Sequence, residues 1–180
     1  TFDNYIGLFQ SSEFWEACWI TAKFVLFVGG VSLVIALATA ILVNQKFRGR
    51  SVARLLVMLP WAVPEVVATV IWAWMLDSSF GVINWMLLRV GLISEQIPFT
   101  SDPNAAFFAV SFVMIWKGYP MMAIMLLAGL QSIPEEQYQA AEVDGASRWQ
   151  RFYKVTLPII RPSLLPAALL GAIWTFNMFN

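Results

Sequence analysis

Residues 20–43 read ITAKFVLFVGGVSLVIALATAILV, with Lys23 the one charge among them. As a helix rising 1.5 Å per residue, this stretch is about 36 Å long, enough to cross a hydrocarbon core of about 30 Å. Lipid offers no partner to backbone amides, so a crossing chain must be helical or part of a closed barrel. No two-residue alternation runs through the stretch, which argues against a barrel strand. Three further segments repeat the pattern: 55–76, 105–130 and 164–180. Their charges are Glu65 and Lys117. The four runs predict an all-α fold, a polytopic membrane helix bundle. The alternative is a very apolar soluble bundle, whose buried helices seldom pass 20 residues without a polar face.

Composition agrees with lipid as the solvent. Of the 180 residues 59% are hydrophobic and 12% charged, and the mean hydropathy is +0.70. That balance argues against a soluble enzyme and against intrinsic disorder. Eleven bases offset eleven acids, so no nucleic-acid partner is expected. The chain has no His, which removes His-based metal sites and Ser-His or Cys-His catalysis. Cys18 stands alone and cannot form an internal disulfide. No catalytic or metal-ligating residue is expected. The chain opens at Thr1 with a polar, aromatic stretch and closes at Asn180 inside an apolar run. It reads as an internal piece of a longer membrane protein, one transmembrane domain over 1–180, incomplete at both ends.

Charges in the connecting segments give an orientation. Segment 44–54 holds Lys46, Arg48, Arg50 and Arg54; segment 131–163 holds Arg148, Arg151, Lys154 and Arg161. Segment 1–19 has no base and segment 77–104 only Arg89. The positive-inside rule places 44–54 and 131–163 in the cytoplasm. In 77–104, Asp77–Gly81 reads as a break. Val82, Ile83, Trp85, Met86, Leu88 and Leu92 follow as a stripe too short to span, suited to an interfacial or re-entrant helix. Ser101-Asp102-Pro103-Asn104 restarts the next helix.

Residues 132–163 carry more detail. Ser132-Ile133-Pro134-Glu135 reads as a capping box opening a helix that runs to about Val143. Asp144-Gly145 ends it, since Gly tolerates a positive φ. Ser147-Arg148-Trp149-Gln150 reads as a second capping box. The following helix would set Trp149, Phe152, Tyr153 and Thr156 on one face and bases on the other. Leu157-Pro158 is expected to stop it, and Arg161-Pro162 to introduce the last span. Two short amphipathic helices thus meet at a bend. Such a pair can lie on headgroups, or dock into a cleft of a cytoplasmic partner.

The run Gln139-Ala140-Ala141-Glu142-Val143-Asp144-Gly145-Ala146, followed by Trp149, Phe152, Val155, Leu157-Pro158 and Pro162, resembles the cytoplasmic loop of ABC-importer permeases. Leu59–Pro64, Trp116–Pro120 and Phe176-Asn177 are similar to the carbohydrate branch, the maltose- and glycerol-phosphate-type permeases. Gln139 stands where the family has Glu, which would replace a charge-assisted contact by an amide hydrogen bond. The resemblance implies that residues 134–157 couple this chain to a separate ATP-hydrolysing subunit. Gln139, Ala140, Ala141, Asp144, Gly145, Trp149, Leu157 and Pro158 would be the contact positions. It also implies a second, homologous permease subunit and an extracytoplasmic solute-binding protein, in a bacterial or archaeal cytoplasmic (inner) membrane. No G-x-x-x-x-G-K-[ST] run is present, so no cofactor is expected on this chain and ATP would sit on the partner.

Two charges and several amides lie at membrane depth. Glu65 follows Pro60 and Pro64, and Pro64 should kink the second span. Lys117, beside Gly118 and Pro120, has a similar height, so a Glu65–Lys117 ion pair is one arrangement. Glu65 could instead face an aqueous path, cap freed backbone groups or carry a proton. The alternative function is accordingly an ion-coupled secondary transporter or channel subunit using Glu65 and Lys117. Lys23 is expected to snorkel. Asn177 and Asn180 share a helix face, where amides favour an interior position. By resemblance to the maltose-type permeases, Phe176, Asn177, Asn180 and Gly118 would contact a sugar. Lys117 and Met121 differ from that pattern, which points to another sugar.

Overall fold

The computed structural model describes residues 2–177, and these are helical and connecting segments with no strand among them. Helix α1 (Asp3–Gln10) leads into α2 (Ser12–Asn44), α3 (Arg50–Ala62), α4 (Glu65–Met75), α5 (Val82–Arg89) and α6 (Pro103–Gln131). Then come α7 (Glu135–Val143), α8 (Arg148–Arg151), a π-helical turn (Phe152–Thr156) and α9 (Leu157–Asn177). Asn180 lies outside the described residues.

Among the described residues three helices are long and apolar enough to cross a membrane, Ser12–Asn44, Pro103–Gln131 and the continuous stretch Arg148–Asn177, and the bent pair α3–α4 is apolar enough to count as a fourth, broken one. The first begins eight residues ahead of the apolar run, because the Ser11 side chain accepts the Phe14 N–H at 3.4 Å and caps it. Asp102 starts α6 as its sequence predicts, accepting the Ala105 N–H at 2.7 Å with Pro103 in the first turn.

The packing follows small residues. Phe24, Val28, Ser32, Ala36 and Ala40 are buried at four-residue steps down α2. That spacing draws one stripe on a helix, and the short side chains let backbones approach. The stripe meets α6, whose Met122, Ala123, Leu126, Leu127 and Leu130 are buried with it. Helix α9 closes the core with Ile160 and Ala167. The opposite faces carry large apolar side chains to the outside: Leu26 is 76% exposed and Val66 also 76%. A soluble bundle would place polar residues there; this surface suits lipid or further helices.

Four expectations are corrected. Segment 55–76 is not one continuous helix: α3 and α4 meet at 88° across Val63-Pro64. Pro64 cannot donate into α3, and the chain turns extended at both residues instead of bending gently. Ser132 does not cap α7. It ends α6, its hydroxyl donating to the Gly129 carbonyl at 2.8 Å, and Pro134 occupies the N-cap position. Leu157-Pro158 does not stop the second loop helix. The π turn widens the helix just before Pro158, where the ring would strike the preceding turn, and the Leu157 N–H reaches back to the Phe152 carbonyl. Arg161-Pro162 therefore introduces no span; both lie inside α9, which continues from α8.

Other readings agree with the fold. Asp77 makes the expected break, its carboxylate accepting the Ser79 and Phe80 N–H groups at 2.8 and 3.1 Å. The short stripe after it forms α5 as far as Leu88, while Leu92 lies beyond the helix end. Asn84, buried on α5, exchanges two 2.9 Å hydrogen bonds with the Ile97 backbone and ties down the segment ahead of α6. Lys23 reaches over the Trp19 ring at 5.7 Å, an exposed cation–π contact.

Candidate functional site

The α3–α4 break opens a cleft of about 640 Å³. Its walls come from α2, the break itself, α6 and α9. Trp61 and Trp174 present half-exposed indoles, and Ser32 lies on the α2 wall. Glu65, Lys117, Gly118 and Asn177 all line it. Four of the residues singled out from sequence are therefore brought together by three different helices. Phe176 is not among them; it faces outward beside Phe14, Cys18 and Thr21 on the far side of α9. Asn180 falls outside the described residues.

The two charges do not pair. The Lys117 ammonium donates to the Val63 carbonyl at 2.7 Å, and among the described residues it makes no ion pair with Glu65. Val63 ends α3 in extended conformation ahead of Pro64, so its carbonyl sits at the negative end of that helix. A cation belongs there. Glu65 occupies the first turn of α4, where a carboxylate complements the positive helix end. Each charge thus serves one side of the break. Trp72 steadies α4 from its other face, edge-on to Trp116 at 5.3 Å and to Phe112 at 5.4 Å. The sequence marked Glu65 and Lys117 by their depth. It gave no sign of the Val63 carbonyl, because any residue could have supplied it. Ser32 was not singled out, being one of three hydroxyls in the 20–43 run with Thr21 and Thr39.

The loop between α6 and α9 is bent as its residues require. Gly145 takes φ +75, and Gly145 and Ala146 donate back to the Glu142 and Ala141 carbonyls at 3.0 and 2.9 Å. Ser147 and Gln150 complete the predicted capping box: the Ser147 hydroxyl accepts at 3.3 Å and the Gln150 side chain accepts at 2.8 Å. Arg151 bridges back to Glu142 at 3.3 Å, and the Tyr138 and Thr156 hydroxyls share a hydrogen bond of 2.9 Å. The π turn splits the expected aromatic face. Trp149 and Tyr153 stack outward, while Thr156 turns inward and is buried. Gln139, Ala140, Asp144, Gly145 and Trp149 are exposed, as is Pro158; Ala141 and Leu157 are half-buried. Lys46 meets Glu135 at 3.5 Å, so the base-rich 44–54 segment and this loop lie at one end of the bundle. The pair is exposed and adds little stability.

A family model described as "Binding-protein-dependent transport system inner membrane component" matches residues 32–179, which include the cleft, the broken helix and the bent loop. The chain belongs to this family. It is 36% identical over 177 residues to a trehalose/maltose transport system permease protein of Thermococcus litoralis, covering 98% of this chain and 59% of that one. A sulfoquinovosyl glycerol transport system permease protein of Agrobacterium fabrum is 38% identical over 179 residues, with 99% and 58% covered. A solved bacterial ABC transporter that imports the acidic polysaccharide alginate superposes with a TM-score of 0.78 at 30% identity, covering 94% of this chain and 59% of that chain. The chain thus spans about three-fifths of the relatives it matches. As a member of the family it is a multi-pass inner-membrane component, and its relatives are permease subunits. The ion-coupled alternative is not favoured by any of these matches.

Proposed function

We propose that this chain is the pathway-forming core of a permease in an ATP-driven importer for a sugar or sugar-like solute. The family match over residues 32–179 carries the reading, because it spans both the cleft and the bent loop. The cleft suits a sugar. Trp61 and Trp174 offer flat apolar faces, and Asn177, Ser32 and Glu65 offer hydrogen-bonding groups within one concave space. Gly118 keeps the α6 wall open, since nothing lies within 4 Å of where its Cβ would be. The relatives' names point to carbohydrate solutes, and the solved alginate transporter includes a complex with a sugar-loaded periplasmic protein. A binding protein that delivers the solute, a second permease subunit and ATP-hydrolysing subunits complete the proposed assembly.

The loop is the proposed point of coupling. Residues 134–157 project from the same end as the base-rich 44–54 segment, which the positive-inside rule puts in the cytoplasm. Gln139, Ala140, Asp144, Gly145 and Trp149 form the exposed contact, and Leu157-Pro158 root it in α9. Closure of the ATPase pair would drag this bent element, capped by Ser147 and Gln150, and tilt the continuous Arg148–Asn177 helix that walls the cleft.

Two measurements test this on the full-length permease in its assembly. With Cys18→Ser as background, Val143→Cys on the loop should cross-link to the ATPase subunit, since Val143 is 88% exposed. Labelling of that cysteine by an impermeant reagent from outside would end the reading. Asn177→Ala should weaken solute uptake through a higher KM; an unchanged KM removes Asn177 from the site.

A further inference from the structure

A second cavity, of about 490 Å³, lies away from the cleft, where α2 and α6 end beside the loop. Arg148 and Arg151 line it together with Asn44 and Gln45. The two arginines are three positions apart on one helix and so share a face. Glu142 answers Arg151 at 3.3 Å from an exposed position, while among the described residues the Arg148 guanidinium has no hydrogen bond or ion pair. Two arginines thus border one space that Asn44 and Gln45 also line, and of the two only Arg151 has a carboxylate partner, Glu142, which does not line it. The bonded Tyr138 and Thr156 hydroxyls also border it, and Ile41, Leu130 and Phe152 give it an apolar wall. The cavity sits at the ends of α2 and α6, and the apolar run of α2 stops at Val43, the residue before Asn44, so a bilayer spanned by that run would bring its headgroups to this level.

We propose that this cavity binds a phosphate group at the membrane surface. The guanidinium fork matches phosphate oxygens, amide N–H groups add neutral donors, and the apolar wall would lie along a glycerol backbone. Basic pockets between helix ends are suited to anionic headgroups. A ligand held there would tie the loop to the end of α2, since Asn44 and Gln45 belong to one and Arg148 and Arg151 to the other. The proposal goes beyond solute transport and does not depend on which solute is carried.

The test uses the full-length permease with its subunits in vesicles of phosphatidylcholine, with and without phosphatidylglycerol, and in a third arm inorganic phosphate. Bound phosphatidylglycerol is counted by native mass spectrometry, and bound phosphate by isotope retention. R148Q/R151Q should weaken retention about tenfold, the loss expected when charge-assisted hydrogen bonds go. R148K/R151K, which keeps the charge without the fork, should fall between. Arginine-dependent retention in the lipid arm identifies the headgroup as source; in the phosphate arm alone, a soluble anion. Retention that ignores both variants overturns the proposal. So does a loss of the ATPase subunit from R148Q/R151Q with phosphate retention intact, which would assign the arginines to that interface. Elution of R148K/R151K at the volume of the unmodified complex guards against misfolding.

Discussion

Lys117→Met removes the cation that holds the broken helix. Its ammonium donates at 2.7 Å to the Val63 carbonyl, the point where α3 stops and the chain turns by 88° into α4. Lys117 is half-buried, so water replaces that bond poorly. A hydrogen bond to a charged group contributes about 1.5–3 kcal/mol, and each 1.4 kcal/mol is about tenfold in an equilibrium. Local opening of the break should therefore rise roughly ten- to hundredfold in the variant. Hydrogen exchange on the full-length permease in nanodiscs reads this directly. Amides of Ala68–Trp72, the first of α4 to be hydrogen-bonded, should exchange faster by that factor, while those near the Leu126 core stay unchanged. Paired spin labels on α3 and α4 should show a broader distance distribution. Lys117→Arg should preserve both readouts, because a guanidinium can still reach the carbonyl. The reasoning fails if Lys117→Met leaves exchange and distances unaltered. It also fails if Glu65→Gln alone reproduces the effect and the double change adds nothing, since that is the signature of an ion pair.

Three further perturbations follow from the geometry. A Cβ at Gly129 would lie 2.6 Å from the Ser163 Oγ and 2.9 Å from its Cβ, so Gly129→Ala should push α6 from α9 and cost about 1–3 kcal/mol. A lower Tm in detergent, restored by Ser163→Gly, would verify it; an unchanged Tm would show that the crossing is looser. Asn84→Leu leaves the Ile97 N–H and carbonyl without their side-chain partner and should cost about 1–3 kcal/mol. Exchange at Ile97 should accelerate, with the α2–α6 core unaffected. Gly145→Val forces a β-branched residue to φ +75, at about 1–2 kcal/mol, whereas Gly145→Asn tolerates it. Uptake should fall in the Val variant and be largely retained with Asn; equal uptake in both would remove the bend from the coupling.

The elements legible beforehand were those set by neighbours in sequence. The apolar lengths of α2 and α6, the Asp102 cap, the turn at Asp77, the left-handed Gly145 and the Ser147–Gln150 box each depend on a few adjacent residues. The prolines were less readable. Pro64 ends a helix outright, while Pro162 and Pro166 sit inside α9, and a π turn admits Pro158. The same ring has opposite effects because what matters is whether the freed carbonyls and displaced turns find partners elsewhere, and those partners are distant in the chain.

Sequence alone determined that the chain lives among lipids, that it is helical, and that a bend at Gly145, followed by one capping box, lies between its last two long helices. Hydrophobic length and local hydrogen bonding settle those matters without reference to the rest of the molecule. Tertiary structure decided that the second apolar run is broken, that Lys117 answers a backbone carbonyl instead of Glu65, and that Gly118 and Asn177 share a cleft from which Phe176 is turned away. A carbonyl freed by Pro64 is a strong acceptor on any residue. Only the approach of α6 to the break determines which cation it receives.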